Sequence, residues 1–208
     1  KIIIGSSNIH FRFGANSTIQ YIAAFFNNYL FKANGINIPL AIIFGLFISF
    51  FLDRLFNILK ENKNQNYFEF QKYFFLLFIT ISSFYSFSRY SNYGNDVPAH
   101  IYFYYLIYLV IQNKNIKSNE FLFLTSLVSI FLISNKIFFV LSLLFPLYFI
   151  LKTKNIEFLK TRYFYIILFL FLTLISKNIL ISGCIFYPVH FSCFDNFLWT
   201  NLLETIAE

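Results

Sequence analysis

Four stretches hold most of the residues able to do chemistry. The first is Asn8-Ile9-His10-Phe11-Arg12-Phe13-Gly14-Ala15-Asn16-Ser17. The guanidinium of Arg12 is a planar fork suited to phosphate. His10, Asn8 and Asn16 carry the donors and acceptors that bind sugar hydroxyls. The same residues also read as a surface loop with a satisfied histidine. The second stretch is Tyr93-Gly94-Asn95-Asp96-Val97-Pro98-Ala99-His100. Gly-Asn-Asp ahead of Pro is turn chemistry, and Asp96 suits the capping of a following helix. His100 lies four residues on, so a carboxylate and an imidazole stand one helical turn apart, an arrangement suited to proton transfer. Two such ligands do not define a site for a divalent metal, and no cofactor is evident.

The third feature is Lys136, preceded by Asn135 in the middle of the apolar run 121–151. An ionisable group inside an apolar span is costly and counts as a functional candidate by default. Lys177, near the end of the last apolar run, is placed to snorkel. The fourth is the tail from Ser182 to Thr200. It holds both cysteines, Cys184 and Cys193, which are free to pair as a disulfide in an oxidising compartment. Neither has the spacing of a redox or metal motif. Trp199, the only tryptophan, fits with Tyr187 and Phe197 either an interfacial belt or a stacking platform.

The elements that must position these groups are apolar and long. Of 208 residues, 58% are hydrophobic and 12% charged, about half the charged share of a soluble domain. That composition and the short charged connectors between apolar runs predict an all-α, polytopic transmembrane helical bundle occupying residues 1–208 as a single domain. They argue against a soluble globule, a disordered tail or a nucleic-acid partner. Spans are expected at 38–52, 73–88, 99–111, 121–151 and 163–182, with 18–31 as an interfacial helix. Membrane lipid is the first partner implied; nothing in the sequence reports oligomeric state.

Charge sets the orientation. Arg54, Lys60, Lys63 and Lys72 lie in one connector, Lys114 and Lys117 in a second, and Lys152, Lys154, Lys160 and Arg162 in a third. These ten are most of the 16 basic residues. The segment 89–98 has only Arg89, and 183–208 has none. The positive-inside rule puts the three connectors in the cytoplasm, with 1–37, 89–98 and the tail outside. Connectors on one side at both ends of 121–151 require that run to turn back as a hairpin of short helices, its apex at Asn135–Lys136. One long tilted helix is the alternative.

Several of these stretches resemble a bacterial family of polytopic membrane proteins related in layout to the GT-C glycosyltransferases, which use polyprenyl-phosphate sugars. Residues 8–17 resemble that family's "NLHxRFGxNS" segment. Asn95-Asp96-Val97-Pro98 resembles its "xDxP" helix start, and Ser134-Asn135-Lys136 its intramembrane "xxK". Ser182-Gly183-Cys184 to Tyr187-Pro188, with Phe194-Asp195 and Trp199, resembles its "SGxxxYP…FD…W" segment. The resemblance implies a bacterial inner-membrane, multi-pass protein acting on polyprenyl-phosphate-linked sugar in cell-surface polysaccharide assembly. It further implies that Arg12, Arg89 and Lys136 hold lipid phosphate, and that the principal catalytic acid lies upstream of Lys1, with Asp96 and His100 as candidates here. A polymerase or ligase of lipid-linked glycans, a flippase-type transporter and a non-catalytic membrane fragment share these features.

Overall fold

The computed structural model describes residues 18–26, 32–60, 74–82, 96–112, 117–187, 189–194 and 196–200. Every regular element among them is helical, so the protein is all-α. The β-type pairing among them is an isolated antiparallel bridge between Cys184 and Cys193. The helices are α1 (Thr18–Phe26), α2 (Ile38–Lys60), α3 (residues 74–82), α4 (Asp96–Gln112), α5 (Asn119–Asn135), α6 (Leu144–Thr153) and α7 (Arg162–Ser182). Short 3₁₀ turns cover Lys32–Asn37, Ile137–Leu143, Ile156–Lys160 and His190–Ser192. The chain divides into two compact units, one of Ile19–Lys114 and one of Lys1–Thr18 with Asn115–Glu208.

In the unit Ile19–Lys114, α2 is longer than the apolar run 38–52 suggests, because it continues through Asp53 and Arg54 to Lys60. The polar groups are accommodated on the helix surface. Asn57 Nδ2 donates to Asp53 Oδ2 (3.2 Å), and the Arg54 guanidinium sits 5.4 Å from the Phe50 ring centre. Phe47 and Phe51, four residues apart and so on one face, are buried with Leu76, Ile79, Ile101 and Tyr108. Phe50 meets Tyr105 and Tyr108 edge-on at 5.7 and 5.3 Å. The aromatic residues here are packing material between α2 and α4.

The other unit is built around α5. Its buried side chains, among them Leu122, Thr125, Val128, Ser129, Leu132 and Ile133, lie all round the helix, as expected of a helix enclosed by neighbours. The chain reverses after Asn135. Phe121 then faces Phe149 at 5.1 Å, the Ser129 hydroxyl donates to the Ser142 carbonyl (3.0 Å), and Asn155 Nδ2 donates to Asn119 Oδ1 (3.0 Å) and the Lys117 carbonyl (3.1 Å). The run 121–151 is thus two antiparallel arms, 119–135 and 137–153. At 1.5 Å per α residue the outgoing arm is about 26 Å long; the 3₁₀ rise of about 2 Å over 137–143 brings the return arm to about 28–29 Å. Both exceed the reach of about 21 Å that two arms of about 14 residues, fitted with a turn inside 121–151, would have.

Pro146 explains why the return arm is not α-helical throughout. A proline ring clashes with the carbonyl four residues back and offers it no N–H, so an α-helix cannot run through Ser142 to Pro146. The chain takes 3₁₀ geometry up to Leu143, and Pro146 falls in the first turn of α6, where it is tolerated. Ser129 supplies the Ser142 carbonyl with a donor across the hairpin. Thr125, Ser126 and Ser129 also back-bond to carbonyls of their own helix at 2.7–2.9 Å. Small hydroxyl residues on such a seam let two backbones approach closely.

Among the described residues two helices are long and apolar enough to cross a membrane, α2 over Ile38–Asn57 and α7 over Arg162–Ser182, with mean hydropathy 2.0 and 2.2. Of their apolar windows only 17% and 11% are buried within the protein, leaving apolar faces that water solvates poorly. Pro98–Ile111 and the two hairpin arms are shorter apolar helices. The expected interfacial helix is helical over Thr18–Phe26; its remainder, 27–31, lies outside the described residues, as do 73 and 83–88 of the second expected span.

Candidate functional site at the hairpin apex

Lys136 occupies the break between the arms. It leaves the helix in extended conformation (φ −151°, ψ 117°), yet its N–H still donates to the Leu132 carbonyl (2.9 Å) and its carbonyl accepts from Phe139 N–H (3.1 Å). Asn135 is buried and turns its Nδ2 onto the Phe131 carbonyl (2.8 Å). Thr18 arrives from far away in sequence and donates its hydroxyl to the Ser134 carbonyl (3.3 Å). The Lys136 side chain is half-buried, at the tip of a hairpin whose other charged residues, Glu120 and Lys152, lie toward its base.

The tail forms a cap on the end of α7. Gly183 ends the helix in the left-handed region (φ 75°), donating to the Ile179 carbonyl at 2.8 Å, the conformation glycine adopts without penalty. Cys184 and Cys193 then form a disulfide. Ile185 N–H donates to the Ser192 carbonyl (2.9 Å) and Phe194 N–H to the Gly183 carbonyl (3.0 Å). The cysteines between these bonds are therefore a non-hydrogen-bonded pair, whose side chains lie closest in an antiparallel ladder. Ser192 orders the loop within the ring; its hydroxyl accepts from Phe186 N–H (3.1 Å) and lies 2.7 Å from the Val189 carbonyl. Trp199 donates its indole N–H to the Ile179 carbonyl (3.1 Å) and stacks on Phe197 at 4.7 Å. Tyr187 is buried. Trp199 thus fastens the tail to the helix end.

At the opposite end of the hairpin, Asn155 joins the two connectors. Beside its bonds to Lys117 and Asn119 it accepts from Phe158 N–H (3.2 Å). The helix α7 leaves from this end, where Tyr163 meets Phe123 at 5.0 Å, and packs against α5. Its 21 residues carry the chain about 31 Å away from the basic connectors.

In the other unit, Asp96 opens α4 and His100 follows one turn on, half-buried; the Asp96 side chain is outside the described residues. His100 adjoins Ile101, which with Phe47, Phe50, Phe51, Tyr102 and Tyr105 lines an apolar cavity of about 320 Å³ between α2 and α4. Asn8, His10, Arg12, Asn16 and Arg89 all lie outside the described residues. Among the described residues no group of three or more His, Cys, Asp or Glu is placed to hold a metal ion. The hydroxyl seam and the role of Asn155 are not anticipated from the sequence. The available signals are Thr125 and Ser129 four residues apart in an apolar run, and an Asn just after the helix that ends at Thr153.

The fold and the exposed apolar faces define an all-α protein with, among the described residues, two helices suited by length and composition to a bilayer. The chain belongs to the family described as Domain of unknown function (DUF8201), which matches residues 1–206. No curated protein and no solved structure matches it.

Proposed function

We propose that this is a multi-pass protein of the bacterial inner membrane, GT-C-like in layout, that transfers a sugar from polyprenyl phosphate during cell-surface polysaccharide assembly. The observation that carries the reading is the helix break at Lys136. It sets a lysine at the tip of two apolar arms, away from the basic connectors and toward the disulfide-bearing end. A lipid-linked phosphate presents its charge at such an interface. In the reaction the acceptor hydroxyl oxygen bonds to the anomeric carbon, the carbon–oxygen bond to phosphate breaks, and polyprenyl phosphate leaves with the bonding pair. Lys136, with Arg12, stabilises the charge developing on that phosphate. A general base accepts the hydroxyl proton.

The test is Lys136→Met in the full-length protein, which preserves apolar length while removing the charge. Membrane insertion should be unchanged. Product formed from a polyprenyl-phosphate sugar should fall on the order of a hundredfold, as for loss of one donor to a developing anion. Unchanged product formation at matched expression would overturn the assignment.

A further inference from the structure

We propose that the base of the hairpin is a binding surface for anionic phospholipid headgroups, a role that rests on the membrane reading above but is separate from the chemistry at the apex. Lys117, Lys152, Lys154, Lys160 and Arg162 are all exposed there, brought into one region by the bonds of Asn155 to Lys117 and Asn119. Glu120 and Glu157 are the nearby exposed acids, so the surface keeps a net positive charge. Lys154 holds the left-handed conformation (φ 51°) that ends α6, a position where glycine or asparagine would be less strained. The turn it makes folds Lys152, Lys154 and Lys160 into one short connector.

Two further observations select a lipid over an acidic peptide or free phosphate. Lys152 Nζ lies 5.4 Å from the Tyr148 ring centre and the Arg162 guanidinium 5.7 Å from that of Tyr163. Cations stacked on tyrosines at the end of apolar helices match the headgroup level of a bilayer. From this level an exposed apolar stripe runs up the return arm through Leu151, Leu147, Leu144, Leu141 and Phe138, each at least half exposed. A phosphodiester held by the lysines has its acyl chains alongside that stripe; a soluble anion uses only the charges.

The experiment uses the full-length protein in nanodiscs of equal phosphatidylglycerol and phosphatidylcholine, with retained lipids counted by native mass spectrometry. A lysine near an anionic leaflet contributes about 1 kcal/mol, or about fivefold, so phosphatidylglycerol should be retained at least fivefold over phosphatidylcholine. The triple variant Lys152→Gln, Lys154→Gln, Lys160→Gln should bring the ratio toward one, and Lys152→Arg should keep it. Inorganic phosphate should not displace the lipid. Equal retention by the wild type, an undiminished ratio in the triple variant, or displacement by phosphate would each overturn the proposal while leaving the membrane reading intact. A protein that does not incorporate into nanodiscs of either lipid would overturn both.

Discussion

The bond from Ser129 to the Ser142 carbonyl should be worth more than the average interhelical hydrogen bond in a membrane, because Pro146 denies that carbonyl its α-helical donor. Replacing Ser129 by Ala removes the donor across the hairpin and leaves the Ser142 carbonyl with the Leu144 N–H, two residues on, in place of a full α-helical bond. An ordinary hydrogen bond contributes about 0.5–1.5 kcal/mol net, whereas a buried group left unsatisfied costs about 1–3 kcal/mol. Two features pull the expected value down. The Ser129 proton is shared with the Thr125 carbonyl at 2.8 Å, and interhelical bonds in membranes average only about 0.6 kcal/mol, with a maximum near 1.7. The expected cost of Ser129→Ala is therefore about 1–1.5 kcal/mol. The discriminating measurement is a double-mutant cycle with Pro146→Ala, which restores an N–H at position 146 to serve Ser142. In that background Ser129→Ala should cost about 0.5 kcal/mol or less, giving a coupling near 1 kcal/mol. Reversible unfolding in mixed micelles, followed by circular dichroism, would supply the four free energies. Ser142→Ala is the control: its own hydroxyl is buried without a hydrogen-bond partner in this fold, so its removal should be neutral or mildly stabilising. Additive effects of Ser129→Ala and Pro146→Ala, within about 0.3 kcal/mol, would refute the account of the hairpin seam.

Three further outcomes follow from the cap and the connectors. At Gly183 an added Cβ meets the left-handed backbone and overlaps the Thr200 side chain; Gly183→Ala should therefore cost about 1–2 kcal/mol from conformation alone and lift 196–200 off the helix end. Trp199, as the only tryptophan, would report this as a red-shifted emission partly reversed by Thr200→Ala, and an unshifted spectrum would count against it. Opening the Cys184–Cys193 ring by Cys193→Ser should destabilise the cap by about 2–3 kcal/mol, seen as faster proteolysis of the tail with α7 intact. For orientation, single cysteines at Lys117 and Glu157 in a cysteine-free background should resist an impermeant thiol reagent in intact cells while one at Asn196 reacts; opposite accessibility of Lys117 and Glu157 would eliminate the hairpin.

The hairpin was legible because it follows from two sequence facts: basic connectors at both ends of 121–151, and Asn135–Lys136 at its midpoint. The turn falls at that point, and the bonds of Asn155 bring the two connectors together. The arm lengths were not legible, since apolar windows stop at the first polar residue while Asn119, Lys152 and Thr153 remain in helix. The same cause hid the extension of α2 past Asp53. Trp199 and Tyr187 could be read as belt or platform because aromatic residues carry no signal of direction; burial of Tyr187 and the bond of Trp199 to Ile179 decide for packing. The hydroxyl seam was hidden because Ser and Thr in an apolar run look like mere tolerance until the partner carbonyl is known.

The break at Lys136 resolves a conflict within the sequence itself. As one continuous helix, 119–153 would bury Lys136 near mid-bilayer at a cost of about 2.5–3.5 kcal/mol, and would put one of its two basic connectors on the wrong side. Breaking a helix in an apolar medium is itself costly when it strands backbone groups. Here both backbone groups of Lys136 remain bonded, its N–H to Leu132 and its carbonyl to Phe139, while Ser129 answers for the donor that Pro146 lacks. With the backbone cost kept small, the reversal moves the ammonium about 26 Å from the basic connectors along α5, close to the full depth of a hydrocarbon layer. A lysine needed only for solubility would sit with the others at the base. One carried to the tip of a backbone-satisfied hairpin, in the direction in which α7 also runs, fits the phosphate role proposed for it.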